Sequence, residues 1–369
     1  MIILKTQKDR LLKPLQTVVG VVERKHTLPI LSNVLIEAQG ERTAFVATDL
    51  ELQITTWLDG KIEKDGEFTV SARKLVDICR ALPDETAVKL DFDKETLKIQ
   101  AGKSRFNLQT LPARDFPRLQ SGAGEGTPVR LDQAVLRRLL AKVQYAMAVQ
   151  DIRYYLNGML FSLQGKRLIV AATDGHRLAF DAAELDIAEE TQAEVILPRK
   201  TVLELIKLLD EDSDVPVEIQ IGANQVWVKH PNFELRSKVV DGRFPDYQRV
   251  IPSGYDKEFS VDRQLLQQSL NRAAILTNEK YRGVRMAMTS GALRLACSNN
   301  EQEDAQEELE IDYSAEPIDI GFNIQYLQDV LNNLDCETIT CSFGDANSSM
   351  LITVPGETDF RYVVMPMRI

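Results

Sequence analysis

The chain has 369 residues, 44% of them hydrophobic and 27% charged, and its 44 Lys and Arg stand against 55 Asp and Glu for a formal net charge of −11. This is the make-up of a globular chain with cores for two to three domains; no apolar run reaches the roughly 18 residues that a membrane helix needs, and no leader-like stretch opens the sequence. The four cysteines, Cys79, Cys297, Cys336 and Cys341, have neither disulfide-framework density nor zinc spacing, so structural thiols in a reducing, cytoplasmic setting are expected, with no metal and no cofactor.

The chain begins with a β-like segment running into a Leu-rich helical pattern, LKTQKDRLLKPL at 4–15, with Leu11, Leu12 and Leu15 as its apolar face. A second strand-to-helix pattern, FTVSARKLVDICRAL, follows at 68–82, then alternating strands at 89–92, 97–101 and 105–110 and the segment TLPARDFP at 110–117. The Gly-rich SGAGEGTP at 121–128 reads as a linker. The order then starts again. VRLDQAVLRRLL at 129–140, with Leu136, Leu139 and Leu140 on one face, precedes a strand at 168–172 and an Asp174-Gly175 pair that predicts a type I′ hairpin turn. VILPRKTVLELIKLL at 195–209, strands at 217–221, 226–229 and 234–239, and KVVDGRFP at 238–245 complete the second round. IPSGYDKE at 251–258 marks another boundary. The third round opens with FSVDRQLLQQSL at 259–270 (Leu265, Leu266, Leu270) and continues with IGFNIQYLQDVLNNL at 320–334 and a strand at 351–354.

The second landmark follows the first by 68 residues (Leu4 to Ala72), 69 (Val129 to Pro198) and 64 (Phe259 to Asn323). Three copies of one α+β domain are therefore expected, at 1–121, 127–252 and 253–369, each with short strands and two helices laid on one side of its sheets. Units this large do not build a solenoid; they imply a curved or closed assembly rather than an active-site cleft. Charge is distributed unevenly. Residues 1–121 net +2, 122–252 net −3 and 253–369 net −10, with the acidic run EQEDAQEELEID at 301–312. Unlike ends favour head-to-tail contact between copies, although an acidic face can also serve solubility alone. Five of the six helices carry basic residues on their polar faces: Lys8, Arg10 and Lys13; Arg73, Lys74 and Arg80; Arg137, Arg138 and Lys142; Arg199, Lys200 and Lys207; Arg263 and Arg272. The helix at 325–334 has none. Such a surface suits sequence-independent phosphate contact.

Signatures of catalysis are weak. Gly102-Lys103-Ser104 resembles the end of a phosphate-binding loop, but Leu97 stands where that motif needs Gly. His176 lies beside Asp174 and Arg177 without a nucleophile motif. The acidic run 301–312 lacks the calcium-loop pattern. Repeats and charge alone support a ring-like or curved binding protein, with a static peptide-binding adaptor and a hydrolase using Asp174 and His176 as alternatives.

Seven strings carry a more specific resemblance: KHTLPILSNVLIEA (25–38), ATDLELQI (47–54), QDIRYYLNGMLF (150–161), ATDGHRLAF (172–180), VDGRFPDYQRV (240–250), RAAILTNEKYRGVR (272–285) and YVVMPMRI (362–369). From end to end, with all three repeats in order, the chain resembles the bacterial DNA polymerase III beta subunits, the sliding clamps. The resemblance implies a head-to-tail homodimeric ring of the DNA clamp fold around duplex DNA, sheets outside and helices lining the hole. It also implies a clamp-loader ATPase, and DNA polymerases and other clamp-binding-motif proteins as partners, with no membrane role. Carried over by motif, the partner-peptide pocket comprises Leu156, Thr173, Gly175, His176, Arg177, Leu178, Pro245, Arg249, Val250, Asn323, Tyr326, Ser349, Val363, Met365, Pro366, Met367 and Arg368. DNA contacts are expected from Arg24, Lys25, Arg73, Arg80, Gln150, Tyr154, Tyr155, Arg199 and Lys200. The implied interface sets Lys74, Lys103, Arg105, Phe106 and Leu108 against Ile275, Leu276, Glu301, Glu303 and Asp304. Its apolar members are expected to dominate affinity, because surface ion pairs contribute only about 0–1 kcal/mol each.

Overall fold

The computed structural model describes residues 2–23, 28–93, 95–119, 128–185, 192–213 and 215–369, the side chains of Ile2 and Ile3 excepted. Six α-helices lie among the described residues: α1 (Lys8–Val19), α2 (Ala72–Ala81), α3 (Gln133–Val143), α4 (Arg199–Leu208), α5 (Arg263–Ala273) and α6 (Ile324–Asn332). All six fall where the two recurring strand-to-helix patterns predict them, and the rest of the fold is antiparallel sheet and connections. The chain packs as two compact units, Met1–Ala134 with Leu203–Val239, and Val135–Val202 with Val240–Ile369.

The first unit is built on one twelve-stranded sheet. Its order is Ile2–Gln7, Ala87–Asp93, Thr96–Ala101, Ser104–Leu111, Gly66–Ser71, Asn33–Gln39, Arg42–Thr48, Leu52–Asp59, Phe233–Lys238, Gln225–His230, Pro216–Ile221 and Val129–Asp132. The sheet is continuous between the first and second repeats because Leu52–Asp59 pairs with Phe233–Lys238, Ile54 opposite Leu235. Helix α1 packs on α2 and on Leu52–Asp59, burying Leu11, Leu15 and Val18.

In the second unit an eight-stranded sheet runs Gln192–Pro198, Gly158–Gln164, Arg167–Thr173, Arg177–Glu184, Arg361–Val364, Met350–Thr353, Thr338–Phe343 and Lys257–Asp262. It joins the second repeat to the third through Leu178 opposite Val363. A four-stranded sheet, Asp304–Glu310, Ala292–Ser298, Gly283–Thr289 and Ile318–Asn323, carries α5. Helices α5 and α6 start on capping side chains: Asp262 accepts from the Leu265 amide at 2.7 Å and Asn323 from the Gln325 amide at 2.9 Å.

Three expectations need correction. Leu265 is 45% exposed, because the buried stripe of α5 runs through Leu266, Ser269, Leu270 and Ala273, and a neighbour of Leu266 is rotated about 100° off it. The Asp174-Gly175 hairpin is not a two-residue turn. Thr173 pairs with Leu178, so four residues make the loop, and only Gly175 takes a positive φ, +91°. The Asp174 carboxylate shapes it by accepting from the backbone N–H groups of His176 (2.9 Å) and Arg177 (3.1 Å). Finally, two lysines placed on polar helix faces open to phosphate are buried: Lys8 pairs with Asp84 at 2.5 Å, and Lys142 with Glu357 at 2.5 Å beneath the Phe360 ring.

Candidate functional site

The continuity of the eight-stranded sheet brings the start of Arg177–Glu184 beside the end of Arg361–Val364. Three other segments close around that seam: the single turn Tyr154–Leu156, the loop 174–176 and the segment 245–250. They enclose a cavity of about 210 Å³ lined by Arg153, Tyr155, Leu156, Thr173, Gly175, Arg177, Leu178, Pro245, Tyr247, Val250, Val363 and Met365. Leu178, Val363 and Tyr247 belong at the same time to the packed cluster beneath it. The wall is mainly apolar, with one adaptable methionine and two arginines at its polar side. That is the chemistry of a site for a short apolar segment oriented by a few polar groups.

Both arginines are braced. The Arg153 guanidinium makes two hydrogen bonds to Asp151, Nε at 3.0 Å and Nη2 at 2.9 Å, and a third to the Asp174 carbonyl at 3.1 Å, and its backbone N–H also donates to Asp151 at 2.8 Å; hydrogen bonding from Arg153 holds the Asp151 carboxyl down to about 2. Arg177 is buried. Its Nε donates to Asp174 (3.1 Å), Nη1 to Asp329 on α6 (2.6 Å) and Nη2 to the Tyr145 carbonyl (2.7 Å), and its guanidinium lies 4.4 Å from the Tyr326 ring centroid. Asp174 is thus committed to Arg177 and to backbone amides, not to the imidazole of His176, and the hydrolase arrangement is not formed. Gly102 and Lys103 form the two-residue turn of a β-hairpin, Ala101 opposite Ser104, so the phosphate-loop resemblance has no strand–loop–helix to stand on.

Nine of the seventeen expected pocket residues line this cavity: Leu156, Thr173, Gly175, Arg177, Leu178, Pro245, Val250, Val363 and Met365. The other eight lie outside its lining. The carbonyl of His176 accepts from the Met365 amide at 2.9 Å. Arg249 lines an adjoining cleft that shares Pro245 and Tyr247. Tyr326 lies behind Arg177, and Asn323 caps α6. The hydroxyl of Ser349 lies 3.3 Å from that of Tyr255. Pro366, Met367 and Arg368 line a separate groove on the four-stranded sheet. Arg153 and Tyr247 were not anticipated, although both stand inside motif strings; Tyr155, expected on DNA, forms part of the wall.

Of the expected DNA contacts, Arg24 and Lys25 lie outside the described residues. Arg73 and Arg80 are exposed on α2, with Arg73 donating to the Val22 carbonyl at 2.8 Å. Gln150 is exposed in a left-handed backbone conformation, φ +56°. Tyr154 is exposed and meets Tyr155 edge-on at 6.0 Å, both against Gly242. Arg199 and Lys200 are half-buried at the start of α4, and burial together with nearby Arg177 lowers the Arg199 pKa. Several other helix cations are engaged within the fold: Arg263 donates to the Cys336 and Leu331 carbonyls, and Arg272 pairs with Glu307 at 2.6 Å.

The expected interface residues fall on two open edges. Ser104–Leu111 pairs along its length with Thr96–Ala101, but with Gly66–Ser71 only through Thr110 and Leu111, so the edge over 104–109 is unpaired among the described residues. It carries Arg105, Phe106 and Leu108, with Lys103 in the turn before it and Lys74 exposed on α2. Asp304–Glu310 ends the four-stranded sheet. Glu301, Glu303 and Asp304 are exposed at its start, and Ile275 is 76% exposed beside half-buried Leu276.

Three family profiles match the chain in order: DNA polymerase III beta subunit, N-terminal domain at residues 2–120, central domain at 130–246 and C-terminal domain at 248–368. The beta sliding clamp of Pseudomonas putida is 46% identical over 368 residues, covering 98% of this chain and 99% of that one, and that of Vibrio cholerae is 44% identical over 365 residues, with the same coverage. A crystal structure of a DnaN sliding clamp from Pseudomonas aeruginosa bound to griselimycin superposes with a TM-score of 0.95 at 44% identity, covering 100% of both chains. A Bartonella birtlesii DnaN clamp, also bound to griselimycin, gives a TM-score of 0.95 at 38% identity, again covering 100% of both.

Proposed function

The chain belongs to the DNA polymerase III beta-subunit family, the bacterial sliding clamps, and from that premise we propose that two copies close head to tail around duplex DNA and tether polymerases by a peptide seated in the Leu178 cavity. It is a non-catalytic processivity factor of DNA replication. The three repeats at 1–121, 127–252 and 253–369 are its clamp domains. The observation that carries the tethering role is the apolar cavity whose walls come from both the second and the third repeat, Leu178 and Val363 facing each other across one sheet.

Ring closure is supported by the two open edges. An unpaired strand edge invites a partner strand, and 104–109 is basic and apolar where the region 301–310 is acidic. Two copies joined by a two-fold axis would satisfy both edges twice. Duplex DNA would be held by topology, with Arg73, Arg80, Arg138, Arg199 and Lys200 offering sequence-independent phosphate contacts. Opening such a ring falls to a separate clamp-loader ATPase, and its place of action is the cytoplasm. Griselimycin, which the Pseudomonas aeruginosa clamp binds, is expected to enter the Leu178 cavity, and Leu178→Asp to abolish its binding.

The test is retention on DNA. The protein is loaded onto a nicked circular plasmid with a clamp loader and ATP, the loader is removed in high salt, and the DNA is cut. Retention on the circle followed by release on cutting supports encirclement. Loss from the intact circle in high salt, after loading has been verified, favours a static adaptor that merely displays peptides. Persistence on the linear product points to direct affinity and overturns the topological reading.

A further inference from the structure

The segment after the last strand crosses between two sheets and is stitched to each. The Met365 amide donates to the His176 carbonyl at 2.9 Å, at the loop of the eight-stranded sheet. Two residues later the Met367 amide donates to the Gly321 carbonyl at 2.8 Å, an isolated bridge onto the edge strand Ile318–Asn323 of the four-stranded sheet. At the first of these anchors Met365 forms part of the Leu178 cavity wall. The position of that wall therefore depends on how closely the strap can approach its second anchor.

Two glycines set that approach. Gly321 and Gly283 lie diagonally on adjacent strands, and neither has a positive φ, so glycine is not required there by backbone conformation. A Cβ on Gly321 would stand 2.5 Å from Cδ1 and Cγ1 of Ile369 and 2.6 Å from the Met367 carbonyl oxygen. The three atoms nearest a Cβ on Gly283 all belong to the Ile369 side chain, at 3.2, 3.3 and 3.7 Å, with no backbone atom among them. Glycine in a strand forgoes packing and favours the unfolded chain, and it marks places where another backbone comes close. Here that backbone is the strap.

We infer that Gly321, with Gly283 beside it, is a positioning residue for the partner cavity: it lets residues 365–369 lie flush on the sheet and so fixes Met365 in the wall, an inference that rests on the peptide reading of that cavity. The two glycines differ in a way that can be tested. Relief of a clash with the Ile369 side chain is possible by shortening it; relief of a clash with the Met367 carbonyl is not. Gly321→Ala must displace the strap whatever stands at 369, whereas Gly283→Ala should be tolerated once Ile369 is Ala.

Binding of fluorescein-labelled griselimycin to the full-length protein is measured by fluorescence polarisation, with circular dichroism and plasmid retention as checks on folding and ring closure. Gly321→Ala is expected to weaken binding at least about tenfold, with retention unchanged. Gly283→Ala should weaken it a few-fold, and Ile369→Ala should rescue Gly283→Ala but not Gly321→Ala. In methyl-labelled protein the Met365 methyl resonance should move in Gly321→Ala while those of Met286 and Met288, buried inside the sheet, stay. Unaltered binding by Gly321→Ala, or equal rescue of both variants by Ile369→Ala, overturns the inference. If Gly321→Ala does not fold, the Gly283→Ala and Ile369→Ala pair decides it, and failure of rescue overturns it. Failure of the unsubstituted protein to bind the probe would instead overturn the peptide reading.

Discussion

Replacing Arg177 with Ala should loosen the join between the second and third repeats far more than loss of one surface cation would. The guanidinium is 9% exposed and links Asp174 and the Tyr145 carbonyl in the second repeat to Asp329 in the third. Removing one partner of a buried ion pair costs about 3–5 kcal/mol because the other charge stays desolvated. The low end applies here. Asp174 keeps two backbone N–H donors and Asp329 keeps the side-chain Nε2 of Gln325 at 2.8 Å, so neither carboxylate is left bare. The Tyr145 carbonyl loses the guanidinium donor, about 1–3 kcal/mol for a buried acceptor, and the Tyr326 ring loses its cation. A total of at least about 4 kcal/mol corresponds to roughly a thousandfold faster amide exchange. Hydrogen–deuterium exchange of peptides covering α6 and Arg361–Val364 reads this directly, and Asp329→Asn in the same chain should recover part of the loss, since the two changes share a partner. Acceleration under roughly fivefold would refute the reasoning, since it would mean that the contacts add nothing beyond what water supplies.

The other expectations concern charge and edges. Burial raises the Asp181 pKa to about 6; an acid that binds its proton more tightly when folded gives stability that is greatest below its unfolded value and declines as pH rises from about 4 to about 6, so Asp181→Asn should flatten that decline and raise stability at pH 7 by about 2 kcal/mol in urea titrations. No decline over that window, or one of opposite sign, would count against a buried neutral Asp181. Ile275→Asp, at a 76% exposed position beside the acidic edge, should yield monomers in sedimentation velocity, while Lys103→Ala should leave dimers whose dissociation quickens with salt; the reverse order would move the interface energy from apolar to ionic contacts. Arg80→Gln should lower the slope of log affinity for linear duplex against log salt by about 0.9 if this residue touches a phosphate, and an unchanged slope would remove it from the DNA surface.

The repeats made the fold legible, because each copy spells the same alternation of period-two strands and a Leu-striped helix, and the helices begin where those patterns place them. Leu265 was misread for a physical reason: adjacent leucines stand about 100° apart on a helix, and whether both are covered depends on how widely the neighbouring elements wrap it, so Leu139 and Leu140 of α3 are both buried whereas of the α5 pair only Leu266 is. The hairpin at Asp174-Gly175 misled because the type I′ turn expected there needs two positive φ values, and Asp174 spends its carboxylate on a wider loop in which only Gly175 has one. Motif transfer reached nine cavity-lining residues but could not separate the wall from its supports. His176 supplies a carbonyl, Asn323 a cap and Tyr326 a ring behind Arg177, and none of these roles has a sequence pattern of its own.

The basic helix residues divide by a rule that no count of charges contains. Lys8 and Lys142 are buried against carboxylates, Arg263 serves two backbone carbonyls, and Arg272 is held by Glu307. A cation held by carboxylates at hydrogen-bond distance has little attraction left for a phosphate, since the opposite charge beside it cancels its field beyond a few ångströms. The positive surface open to a polyanion is therefore smaller than the sequence suggests and falls on residues such as Lys13, Arg80 and Arg138, all exposed. A sparse set of this kind suits a protein that must move along DNA, because each additional fixed phosphate contact deepens the well from which every step has to escape. On the proposed reading, weak contact and strong retention would be reconciled by closure of the ring, which would place the energetic burden on the two strand edges rather than on the helices.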